Sequence, residues 1–336
     1  MTCTHNQPVT QLNIRVRVLA VLLIAFFSLL SPQVAFADPP QGARITGVEP
    51  VTDRWVKISV YSPSMDKVIV NDVFRAPGNA SAPVFYLLNG IDGGLDNKGW
   101  FGLTNVQGFF ANQNVNVVSP IGGQYSYYTD WVADDAALGR NKWQTYLTQE
   151  LPPVINQELN ANGRNAISGL SMSGGSALDL AIQAPGLYRA AGSYSGCPAT
   201  SDPNQVQQIA LSLIPSGANA VNMWGPLGGP DWVAHDPSKN AAKLRGVGVY
   251  AAASTGAVGA VDNLPPDFPT PVGGQIVEGI TRDCTQQFAD AAQAAGVPIT
   301  FVIRPEGAHT WGLFESEMQE SWNTVIGAAL GATSTT

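Results

Sequence analysis

The stretch Ala166-Ile167-Ser168-Gly169-Leu170-Ser171-Met172-Ser173-Gly174-Gly175-Ser176-Ala177 decides how this chain is read. A short run, Asn165 to Ser168, leads into a turn of small residues, and a helix-like segment from Ser173 to Gln183 leaves it. A strand that turns this sharply into a helix exposes the residue at its apex, and the positions two on either side must be small. Gly169 and Ser173 meet that demand around Ser171, with Ser standing where the strict pattern has a second Gly. A second register, centred on Ser173, also fits; Ser171 is preferred because it follows the strand end directly. The plain alternative is a Gly/Ser-rich loop that only caps a helix.

Outward from this turn, short apolar runs alternate with helical stretches. Arg54 to Tyr61 and Lys67 to Phe74 alternate like two paired antiparallel strands. Pro83–Leu88, Val115–Val118, Arg189–Ser193, Val247–Ala253 and Ile299–Ile303 are compact apolar runs, with helix-like segments near 141–160, 205–214, 276–295 and 314–329. Buried strands alternating with helices predict an α/β protein: a mostly parallel central sheet with antiparallel N-terminal strands and helices on both faces. With the turn at Ser171, the expected fold is the α/β-hydrolase fold. Gly- and Pro-rich segments at 216–230 and 255–274 read as long loops, and 331–336 as a disordered tail.

The first residues read as an address. Arg15 and Arg17 precede an apolar run from Val18 to Leu30, and Ala35-Phe36-Ala37 has the small residues of a cleavage site. A signal peptide over 1–37 leaves 38–336 as one catalytic domain, exported to the envelope or beyond. The net charge is −8, and it becomes −10 once Arg15 and Arg17 are lost. An acidic chain with no basic cluster is not built for nucleic acid. No other stretch is long and apolar enough for a membrane anchor. Of the three cysteines, Cys3 leaves with the signal, and an exported chain with Cys197 and Cys284 suggests one disulfide. These residues have no metal-ligand spacing, so no metal site is expected.

A serine nucleophile needs a base. With His5 removed, His235 and His309 remain, and His309 follows the last strand, as the fold's order of serine, acid and histidine requires. The acid must lie between Val247–Ala253 and His309, and position alone leaves Asp262 and Glu278 both open. An oxyanion needs two backbone donors. Met172 follows the nucleophile, and Ile91 sits in the glycine-rich turn Asn89-Gly90-Ile91-Asp92-Gly93-Gly94.

Several blocks in one order now give a resemblance. Tyr86 to Ile91, Ser119 to Gln124 with Tyr128-Thr129-Asp130-Trp131, Lys142 to Pro152, Gly169 to Met172, Met223-Trp224-Gly225-Pro226 and Gly307 to Trp311 resemble secreted mycolyltransferases of the mycobacterial antigen 85 type. The resemblance covers nearly all of the chain after the signal. It implies Ser171 as nucleophile, His309 as base, Glu278 as acid, and Ile91 and Met172 as oxyanion donors. It implies sugar contacts from Asn89, Asp92, Arg282, Thr310 and Trp311. It further implies transfer of a mycolyl group from trehalose monomycolate to a second one or to cell-wall arabinan. The partners are then trehalose mycolates and arabinogalactan, with no cofactor, and the chain is expected to work as a monomer. Asn89 and Asp92 depart from the family's Asp and Arg, and the mycobacterial cysteine pair is missing from Ala133 to Asn141. Two rival readings stand beside this one: a secreted carboxylesterase that passes the acyl group to water, and a non-catalytic envelope- or matrix-binding protein on the same fold.

Overall fold

Alternating burial builds the front of a nine-stranded sheet, and unbroken burial builds its middle. The computed structural model describes residues 42–78, 80–263 and 272–332. The signal segment expected over 1–37 lies outside the described residues. Strands β1 (Arg44–Pro50), β2 (Trp55–Ser62) and β3 (Lys67–Phe74) pair antiparallel. In β2, Val56, Ile58 and Val60 point inward at every second position. β1 is one strand more than the sequence suggested. It runs along the sheet edge, almost wholly exposed, so burial imposes no apolar alternation that a reader could find.

The remaining strands are β4 (Val84–Leu88), β5 (Asn116–Pro120), β6 (Asn165–Leu170), β7 (Tyr188–Tyr194), β8 (Gly248–Ser254) and β9 (Ile299–Arg304). The order is β1-β2-β3-β5-β4-β6-β7-β8-β9, parallel from β5 onward. β4 and β6 are buried at every position, which is why they read as continuous apolar or small runs.

The longer helices are α1 (Leu151–Glu158), α2 (Met172–Gln183), α3 (Pro203–Leu213), α4 (Val272–Ala294) and α5 (Trp311–Ser321). Successive strand residues face opposite layers. Tyr86, Leu88 and Ile167 pack with Ile155 of α1, Leu178 of α2 and Phe288 of α4. Phe85, Leu87 and Ala166 pack with Phe314 and Met318 of α5. Both faces are therefore covered, as an α/β-hydrolase sheet requires.

Between β7 and β8 the chain builds a smaller apolar cluster. Val206, Ile209 and Leu213 of α3 meet Trp131, Trp224 and Trp232 there. Asp202 caps α3 by accepting from Asn204 N at 3.0 Å, with Pro203 at the first helical position. The supposed loop at 216–230 thus contains the helical turn Val221–Trp224, and 255–263 contains the turn Ala260–Asp262. Gly and Pro content hid these turns, which are too short to show periodicity. The tail also differs from expectation at its start: Gly331 N and Ala332 N bond Ala328 O and Gly327 O, closing the last helix.

Chain order along the sheet reverses at β4 and β6, where the crevice outside the strand ends favours a ligand site. Ser171 sits there. Cys197, just after β7, is bridged to Cys284 of α4, with Cα atoms 4.9 Å apart across 87 residues of sequence.

Candidate active site

Ser171 ends β6 and begins α2 with φ 52° and ψ −120°, a conformation side chains strongly disfavour. Holding it costs about 1–3 kcal/mol, which the packing around it must offset. The packing is close: a Cβ on Gly169 would lie 2.3 Å from Ser173 O. Ser173 is fully buried, and its Oγ lies 3.0 Å from both Leu170 N and Leu170 O. That occupation removes the second register. Ser171 makes no capping bond and borders a cavity.

His309 comes from the loop between β9 and α5, also at positive φ (57°). Its Nε2 lies 2.8 Å from Ser171 Oγ and its Nδ1 lies 2.6 Å from Glu278 Oε1. A carboxylate only accepts, so Nδ1 donates to it and Nε2 is free to accept the Ser171 proton. Glu278, on α4, is fully buried. Its other oxygen accepts from Ser254 N and lies equally close, 2.9 Å, to Ser254 Oγ at the end of β8. The Phe314 ring stands edge-on to His309 at 4.9 Å.

Asp262, the other acid the sequence left open, has a different place. Its Oδ1 accepts from Ala308 N (2.8 Å) and Thr310 Oγ1 (2.7 Å), and its Oδ2 accepts from Gly259 N (2.8 Å). It clamps the residues on both sides of His309. His235 is not part of the site's hydrogen-bonded chain: its Nδ1 pairs with Asp179 at 2.7 Å, and it stacks on Trp224.

The backbone N–H groups of Ile91 and Met172 have no acceptor among the described residues, and both residues border the same cavity as Ser171 and His309. Met172 is the first residue of α2, where N–H groups are unsatisfied and the helix dipole favours negative charge. The cavity holds about 330 Å³. α3 lines one side with Gln205, Ile209 and Ser212, and α4 lines the other with Val277, Ile280 and Thr281. Behind Glu278 lies a second buried carboxyl, Glu317 of α5. Burial holds it well above the ordinary carboxylate range, with Glu278 pushing the same way and Arg304 opposing.

The five residues expected to touch sugar do not converge on this cavity. Asn89 is fully buried, its amide bonding Ser119 Oγ (3.1 Å) and Pro120 O (2.9 Å) and accepting from Trp100 N. It ties the end of β4 to the end of β5. Thr310 is engaged with Asp262 and caps α5. Trp311 packs edge-on against Trp100 and Phe314. Asn89 is thus engaged within the protein, while Thr310 and Trp311 remain half-buried beside these contacts. Asp92 is exposed on its loop, accepting from Gly94 N, and Arg282 pairs with its neighbour Asp283. Ser254 was missed altogether. One serine at a strand end carries no motif.

The fold and this arrangement define the class: an α/β-hydrolase-fold protein with a serine held against a histidine and a carboxylate. A model of the family described as "Putative esterase" matches residues 52–324. The diacylglycerol acyltransferase/mycolyltransferase Ag85A of Mycobacterium leprae is 33% identical over 290 residues, 82% of this chain and 84% of that one. Its counterpart in Mycobacterium bovis is 33% identical over 293 residues, covering 83% and 82%. The crystal structure of Mycobacterium tuberculosis MPT51 superposes with a TM-score of 0.70 at 25% identity, over 83% of this chain and 100% of that one. An S-formylglutathione hydrolase from Agrobacterium tumefaciens shares the fold (TM-score 0.60, 14% identity, 86% and 100% covered). The chain belongs to the esterase family, in the branch of the Ag85A-type acyltransferases.

Proposed function

We propose that this protein is an exported mycolyltransferase that moves a mycolyl group through an acyl-serine at Ser171. The observation that carries the reading is the hydrogen-bonded chain Ser171–His309–Glu278 at the mouth of a cavity lined mainly by apolar groups. Ser171 Oγ gives its proton to His309 Nε2 and attacks the ester carbonyl of trehalose monomycolate. The Ile91 and Met172 N–H groups hold the oxyanion, and Glu278 stabilises the imidazolium. His309 then protonates the departing trehalose oxygen. In the second half, a hydroxyl of another trehalose monomycolate or of cell-wall arabinan gives its proton to His309 and attacks the acyl-serine. Transfer to the serine and release to the acceptor are chemically the same step run in opposite directions.

The relatives' printed activity supports the mycolyl group as cargo. The signal-like residues 1–37 support export to the envelope. Among the described residues no helix is long and apolar enough to cross a membrane. The intact hydrogen bonds at Ser171 argue against a purely binding role. The experiment is incubation with trehalose monomycolate and radiolabelled trehalose, beside Ser171→Ala. Label entering trehalose mycolates, lost in the variant, is expected. Free mycolic acid with no labelled glycolipid would replace transferase by esterase, and no Ser171-dependent product would overturn both.

A further inference from the structure

The cavity beside Ser171 is bordered by a side chain that the proposed reaction does not use. Tyr127 borders the 330 Å³ cavity and also a second, very small one of about 10 Å³ behind it. Three residues border both spaces: Tyr127, Met172 and Cys197. Met172 is an oxyanion residue in the proposed reaction and Cys197 is locked in the disulfide. Tyr127 alone of the three is free of either duty.

The ring is held in place. Ser212 Oγ donates to Ile209 O at 2.7 Å, so its lone pair receives the Tyr127 hydroxyl at 2.8 Å. That bond fastens the 122–131 turn to α3 across the cavity. The turn itself is rigid: Ser126 Oγ donates to Gly123 O, Tyr128 OH to Gly122 O, and Trp131 Nε1 to Ser126 O. Tyr127 sits at φ 54°, a strained position that any side chain except glycine would share. The small space it also borders has a mixed lining, Asp179, His235 and Thr200 beside Trp224, and is fit for about one water.

We infer that Tyr127, pinned to Ser212, is the end wall that sets how much acyl chain the site accepts inside the protein. The inference rests on the acyl-serine reading of Ser171. An acyl chain entering from Ser171 fills the apolar space between α3 and α4 and then meets the phenol ring. Longer chains must bend back toward the open mouth between Gln208 and Val277, both exposed. Trimming the ring lengthens the buried path, and each further buried methylene is worth about fourfold in kcat/KM.

The test is kcat/KM for p-nitrophenyl esters from butanoate to hexadecanoate in the wild type, Tyr127→Phe, Tyr127→Leu and Tyr127→Ala. Labelling of Ser171 by a fluorophosphonate is followed in each. Tyr127→Ala is expected to move the preferred chain to greater length, raising the ratio of long-chain to short-chain kcat/KM by about tenfold or more. Tyr127→Leu, which keeps a smaller plug and answers the question if the alanine variant misfolds, should move it less. Tyr127→Phe should keep the wild-type order. A parallel fall for every ester, with Ser171 still labelled, would overturn the end-wall role while leaving the acyl-serine intact. A wild type that neither turns over esters nor takes the label would overturn the acyl-serine reading and this inference with it.

Discussion

Ser254→Ala isolates how Glu278 is held. Glu278 Oε2 accepts from Ser254 N and faces Ser254 Oγ, both at 2.9 Å, in a fully buried setting. Alanine keeps the backbone donor and deletes the hydroxyl. A hydrogen bond to a charged group contributes about 1.5–3 kcal/mol. The Ser254 hydroxyl has a single proton, and Gly307 O, at 2.6 Å, competes for it while Gly256 N donates to its oxygen. The low end of the range therefore applies, about 1.5 kcal/mol, or a roughly tenfold loss in acylation rate if the carboxylate's position matters most when His309 is protonated. The assay is p-nitrophenol release from a short ester, with fluorophosphonate labelling of Ser171 and the unfolding midpoint measured alongside. Glu278→Gln, which removes the charge, sets the floor at a loss of roughly a thousandfold or more. Acylation within twofold of wild type would mean the hydroxyl plays no part in holding Glu278. A loss as deep as that of Glu278→Gln would mean that Ser254 does more than supply one of two bonds.

Asp262→Asn places an amide NH2 against either Gly259 N–H or the Ala308 and Thr310 donors. It should lower kcat about tenfold or more with little change in KM, because the loop presenting His309 loosens; an equal effect on KM would contradict this. Glu317 keeps its proton in the folded state to higher pH than an ordinary carboxyl does, so the unfolded chain releases it first and stability falls as pH rises through and above the ordinary carboxylate range. Glu317→Gln removes that contribution, and its unfolding midpoint should gain on the wild type between pH 5 and pH 8; parallel curves would refute the burial argument. Cutting the Cys197–Cys284 bridge with Cys284→Ser releases a loop of 87 residues' separation in the unfolded chain, a loss of about 4–5 kcal/mol and an unfolding midpoint lower by on the order of 10 °C. A shift of a degree or two would show that the bridge stabilises little.

The elbow was legible because its demands are local: Gly169 must be small where Ser173 O passes close, and that appears within five residues of sequence. His309 was legible by elimination in a chain with few histidines. The acid was not, because what separates Glu278 from Asp262 is how α4 and the His309 loop pack on the end of β8. Both carboxylates serve His309, one at the ring and one at the backbone. The surroundings of the expected sugar contacts were not legible for the same reason. Asn89 and Trp311 stand next to site residues in sequence, yet the β4–β5 closure takes one and the aromatic packing around Trp100 takes the other. Tyr127 carried no signal, since its place beside the cavity comes from folding that brings it to Ser212, 85 residues away.

The most direct test is the mass of the protein acid-quenched during turnover of trehalose monomycolate or a p-nitrophenyl ester, followed by peptide mapping. One acyl group per chain, on the peptide carrying Ser171 and absent from Ser171→Ala, is the expected result. An adduct on Ser173 or elsewhere, or turnover that survives Ser171→Ala, would contradict the account.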